Sequence, residues 1–126
     1  MGRIPIRCSA IVGYWALIAG LTAGAPGFVS REVQVELVWV LERAYGYGRD
    51  EIAQALEALL EAQELVLEAS DRTAIAADRY RRGGPGFADQ MVALAGQGAG
   101  CRVTMTFDRK AGKVPGMQVF TVEAGH

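Results

Sequence analysis

An α/β fold with a largely parallel sheet covered by helices follows from three features of this 126-residue chain. Short runs rich in β-branched residues alternate with longer stretches whose apolar residues recur at helical spacing. Glycine-rich breaks separate them at Gly24–Gly27, Gly46–Gly48, Gly83–Gly86 and Gly96–Gly100. Hydrophobic residues make up 51% of the chain and charged ones 21%, a balance that favours one packed core over intrinsic disorder.

Taken in order, the spacing predicts a helix over Trp15–Leu21, a break at Gly24-Ala25-Pro26-Gly27, and a short strand at Phe28-Val29. Ser30 is placed to cap a helix on which Val33, Leu37, Val40, Leu41 and Ala44 recur, ended by Gly46 and Gly48. A second helix starts after Gly48. Glu51 stands where a capping-box carboxylate belongs, and Ile52, Ala55, Leu56, Leu59 and Leu60 form one apolar stripe. Leu65-Val66-Leu67 reads as a short buried strand. Ser70-Asp71 begins a helix carrying Ile75, Ala77 and Tyr80, and Phe87, Met91, Leu94 and Ala95 mark another. Cys101–Phe107 is the strongest predicted strand, and Met117–Val122 the last.

The net charge of −1 supplies no global field that would draw the chain to nucleic acid or membrane. Arg79, Arg81, Arg82, Arg102, Arg109, Lys110 and Lys113 crowd the C-terminal half, either as a local basic patch or as ordinary solvated charges. The two cysteines, Cys8 and Cys101, form no Cys-x-x-Cys or Cys/His group, which argues against structural zinc and a disulfide framework; Cys101 is expected to pack beside a core strand. The only histidine, His126, is the last residue, which argues against histidine-based acid/base or triad chemistry. Arg3 and Arg7 precede the apolar stretch Ala10–Leu21, and Ala23-Gly24-Ala25 follows, an order similar to a secretory signal. Pro26 directly after the would-be cut disfavours processing. The stretch is also short for a bilayer span, so a buried helix at the edge of the domain is expected.

Three carboxylates stand against apolar neighbours. Glu36 interrupts Val35–Leu41, and is either an outward-facing residue beside Glu32 and Trp39, a partner of an arginine, for which Arg43 two turns on is no simple local choice, or a group aimed at a polar cavity. Asp89 falls in the first turn of its helix, where the helix dipole favours a carboxylate by about 0.3–1 kcal/mol. Asp108 ends an apolar run, as a turn-initiating aspartate does. In α/β proteins that end of a strand is also where ligands gather. Each has a structural explanation alone. Together they would suit a hard divalent cation such as Mg²⁺, which takes oxygen ligands and can activate water for phosphodiester hydrolysis without histidine.

In order and spacing, Val33–Leu41, Gly86–Ala93 and Gly100-Cys101 through Thr106-Phe107-Asp108-Arg109-Lys110 resemble the PIN domain family. More narrowly they resemble the VapC-type toxins of bacterial toxin–antitoxin pairs. The resemblance covers Phe28 to Phe120, with similarity reaching back to Ala16. It implies a three-layer, Rossmann-like α/β/α sandwich and a single domain over residues 1–126, with an atypical segment at 1–15 and a family-like core at 16–122. It implies a cytoplasmic, metal-dependent endoribonuclease using Mg²⁺ or Mn²⁺, acting on RNA, forming a homodimer and held by a cognate antitoxin. Glu36, Asp89 and Asp108 match the family's acidic positions, with the Thr106 hydroxyl in support. The pattern departs in one place. The family's first strand ends in an Asp-Thr-Asn-like motif that carries a metal ligand, whereas no aspartate precedes Asp50 here. The first strand is therefore expected to be missing or altered, and Gly86 stands where many relatives carry a further acid. A catalytically impaired protein that still binds an antitoxin, or itself, is the alternative.

Overall fold

The computed structural model describes residues 20–121. The predicted helix Trp15–Leu21 falls almost wholly outside them; its last two residues, Gly20 and Leu21, are not helical. Cys8 and His126 also lie outside, as does the segment ahead of Gly20 in which the altered first strand was expected.

Strand β1 is Gly27–Val29, and Ser30 after it caps helix α1, Arg31–Arg43. The Ser30 backbone is extended, and its Oγ accepts the Val33 N–H at 3.2 Å. The buried stripe of α1 is Gln34, Leu37, Val38 and Leu41. Val33 and Ala44, expected in that stripe, are exposed, so the packed face is rotated by about one residue and takes in a glutamine. Helix α2, Arg49–Glu61, begins at Gly48, whose N–H donates to Glu51 Oε1 at 3.2 Å. Its Ile52, Ala55, Leu56 and Leu59 stripe is buried as expected.

Strand β2, Leu65–Leu67, pairs parallel with β1 in the register Gly27↔Leu65, Phe28↔Val66, Val29↔Leu67. Only one face of this pair is covered. Val66 and Phe28 are exposed, a correction to the fully buried strand that three apolar residues in a row predict. Helix α3, Ser70–Arg81, packs Thr73, Ala76, Ala77 and Tyr80 inward and leaves Ile75 exposed, against expectation. Helix α4, Phe87–Gly98, follows the turn Gly83–Gly86. Strand β3, Thr104–Thr106, pairs parallel with strand β4, Met117–Val119, across a connection holding one 3₁₀ turn at Ala111–Lys113.

The predicted strand Cys101–Phe107 is shorter because its first residues serve α4. Gly100, at φ 75°, and Cys101 close that helix, with Gly100 N–H on Gln97 O at 3.0 Å and Cys101 N–H on Gly96 O at 3.2 Å. This paired closure needs a left-handed residue, which glycine supplies without a Cβ penalty. It carries Cys101 to the surface rather than into the core. The last predicted strand likewise stops at Val119, and Val122 lies outside the described residues.

Parallel pairing agrees with the predicted α/β class. Among the described residues, however, the strands make two separate two-stranded pairs, β1–β2 and β3–β4, rather than one sheet inside a three-layer sandwich. Three-residue strands in pairs are marginal alone, and the helices hold them in place. α1, α2, α3 and α4 share one core of Leu41, Ile52, Leu56, Leu67, Tyr80 and Phe87.

Candidate functional site around Asp89 and Asp108

Arg49 fixes the entry to α4. Its guanidinium donates to Tyr80 O at 2.9 Å, Gly84 O at 2.7 Å and Pro85 O at 3.4 Å, and lies 4.6 Å from the centre of the Tyr80 ring. One planar fork thus satisfies carbonyls at the end of α3 and through the glycine turn. Gly83 and Gly84, at φ 103° and 84°, make a turn that side-chain-bearing residues rarely adopt. Tyr80 meets Phe87 edge to face, with ring centres 6.4 Å apart, and its hydroxyl donates to Glu42 at 2.6 Å. Burial first, and that carboxylate second, hold the phenol far above its ordinary range.

Asp89 is the third residue of α4, and its carboxylate accepts the Gly86 N–H. Gly48 and Glu51 do the same at α2, so both helices start on a glycine whose N–H is closed by an acid three residues on. Asp89 is half-buried. Its carboxyl is pushed above the ordinary aspartate range by burial and then by the charge of Asp108, against the opposing pull of the Gly86 N–H.

Asp108 is exposed just beyond β3. Its Oδ1 accepts the Lys110 N–H at 2.8 Å, and its own N–H donates to Thr106 Oγ1 at 3.1 Å. These two bonds aim the carboxylate and make it the turn-initiating aspartate that its position predicts. Thr106 supports Asp108 in this way. Helix α4 packs on β3 through Gly96, where any Cβ would land on Thr104 Oγ1. That close approach joins the last turn of α4 to the first residue of β3.

Glu36 stands on the exposed face of α1, the outward placement among its three readings. Among the described residues no three Asp, Glu, His or Cys side chains converge on a point that could hold a metal ion. The charge of Asp108 does reach Asp89 and, after burial, helps to raise its carboxyl above the ordinary range. In donor chemistry the two carboxylates suit a hydrated hard cation, since Mg²⁺ is often held by one or two carboxylates and keeps several waters.

Two buried amides escaped the sequence reading. Gln34 Nε2 donates to Glu68 O at 2.9 Å and Val29 O at 3.2 Å, while its Oε1 accepts the Thr73 hydroxyl. It joins the ends of β1 and β2 to α1 and α3. The available signal was a glutamine one place from an apolar stripe. Gln90, next to Asp89, is 5% exposed, and its Oε1 has no hydrogen-bond partner among the described residues.

Comparison with the curated proteins and with the solved structures found no match. A family model, PIN domain, matches residues 13–117. The match begins ahead of the described residues and runs through Asp89, Asp108 and into β4. With most of its length covered by that model, the chain belongs to the PIN domain family.

Proposed function

We propose that this chain is a metal-dependent endoribonuclease of the VapC type, a single PIN-like domain that works in the cytoplasm, forms a homodimer and is restrained by a cognate antitoxin. PIN domains are commonly nucleases that act on RNA and generally use divalent metals, which supports the nuclease class. The observation that carries the reading is the PIN family match, which spans both Asp89 at the start of α4 and Asp108 just beyond β3.

In this reading Asp89 and Asp108 hold Mg²⁺ or Mn²⁺, and Glu36 enters through its position in the family pattern alone. When bound, the metal supplies an acidified water and charge neutralisation at the phosphodiester. The protein's own part is orientation. The Gly86 N–H fixes Asp89, the Lys110 N–H fixes Asp108, and Thr106 holds the backbone between them and β3. Carboxylates fixed in this way need no rearrangement as the charge develops.

The test is cleavage of a structured RNA by purified protein with Mn²⁺, beside an EDTA control and Asp108→Asn. Cleavage that needs metal, and falls about a hundredfold or more in the variant, is the expected result. A second reading, a PIN protein that retains association but not catalysis, draws on Glu36 standing exposed on α1 and on no three acidic side chains grouping among the described residues. Well-folded protein that leaves the RNA intact would select it.

A further inference from the structure

Directly before Asp108 lies a pair of aromatic rings open to solvent. Phe107 and Phe120 stack with centroids 4.7 Å apart and planes at 25°, yet Phe107 is 73% exposed and Phe120 44% exposed. The stack is built by the fold. Phe120 N–H donates to Thr106 O at 2.7 Å, which extends the β3–β4 register by one step and sets the two rings side by side. Stacked rings held this open to solvent present flat apolar faces that a bound ring could cover.

The charges around it narrow the occupant. Arg109, Lys110 and Lys113 follow within the same connection, all exposed and with no ion pair among the described residues, whereas Arg31, Arg81 and Arg82 are each paired with carboxylates. An apolar protein partner would not call for three unneutralised cations. A polyanion bearing flat rings matches both features, because bases stack on aromatic faces while cations follow the phosphates.

We infer that the Phe107–Phe120 stack is a platform for an unpaired base of single-stranded RNA, which seats the neighbouring phosphate beside Asp108. The inference rests on the nuclease reading for its place at the site, but stacking itself needs no metal and no cleavage. Base-paired RNA hides its ring faces and gains only the electrostatic part of the binding. The stack therefore acts as a specificity element for unpaired segments.

The experiment is fluorescence anisotropy of a labelled octameric oligoadenylate and of a duplex of the same length, in EDTA. It compares the intact chain with Phe107→Leu, Phe107→Tyr and Phe107→Ala. Phe107 is exposed enough for leucine to be tolerated, and Tyr retains the ring. The expected result is a loss of about tenfold in single-strand affinity for Leu and Ala, little change for Tyr, and little change for the duplex in every variant. Wild-type protein that does not bind the octamer, or equal affinity for wild type and Phe107→Leu, overturns the inference. So does a Phe107→Leu variant whose only change is its oligomeric mass by light scattering, which would assign the rings to self-association. Ring-dependent binding by a chain that never cleaves would sink the nuclease reading alone, and cleavage of single strands untouched by Phe107→Leu would sink the platform alone.

Discussion

Replacing Gln34 with methionine, close in shape and without the amide, tests what holds α1 onto the ends of β1 and β2. Gln34 is wholly buried. Its loss does not leave its three partners equally poor. Val29 O keeps the Glu68 N–H at 2.9 Å, and the Thr73 hydroxyl keeps Ala69 O at 3.2 Å, but Glu68 O loses the donor it has in Gln34. One orphaned buried carbonyl costs about 1–3 kcal/mol, and weakening the other two adds about 1 kcal/mol. The total is about 2–4 kcal/mol, a large share of the roughly 5–15 kcal/mol available to a domain, and equals a fall in Tm of about 10 °C. Urea unfolding followed by far-ultraviolet circular dichroism measures it. Thr73→Val and the double variant complete a cycle whose coupling should be about 1 kcal/mol. A Gln34→Met protein within about 0.5 kcal/mol of wild type would mean that the amide does not hold α1 there, since that is the range of ordinary surface changes.

Three further outcomes are expected. Asp89 has a folded pKa above its unfolded value, so the native state binds more protons in the window just above the ordinary aspartate range, and stability falls as pH rises through it. Asp89→Asn lacks that slope. Its Tm advantage over wild type in metal-free buffer should therefore be smallest near pH 3.5, grow as pH rises through that window and then level off, read by thermal melts across pH. Arg49→Ala removes one donor from three carbonyls and should cost about 2–3 kcal/mol in urea unfolding, with Arg49→Lys restoring only part, because an ammonium cannot span the same fork. Gly96→Ala should destabilise although alanine favours a helix by about 1 kcal/mol, and Thr104→Ala in the same chain should recover some of the loss in thermal melts.

Features that depend on neighbours a few residues apart are legible in the chain before it folds. Ser30 as a cap, the α2 stripe, the acid closing Gly48, Asp89 in a first turn and Asp108 opening a turn all rest on hydrogen bonds or spacing within about one helical turn, which local chemistry specifies. The motif order also carried the family, which the model match over residues 13–117 bears out. The remaining features depend on how the helices and strands pack. Val33 and Ile75 look like core residues on any helical wheel, but the faces that pack are set by what stands opposite, and Gln34 and Thr73 take the buried places because β1 and β2 offer carbonyls there. Cys101 is apolar enough for a strand, yet the closing hydrogen bonds of α4 claim it first. The split into two strand pairs, the stacking of Phe107 on Phe120 and the charge of Asp108 felt at Asp89 all join segments separated along the chain. Such contacts depend on which surfaces meet after the helices pack, and no periodicity in the sequence encodes that meeting.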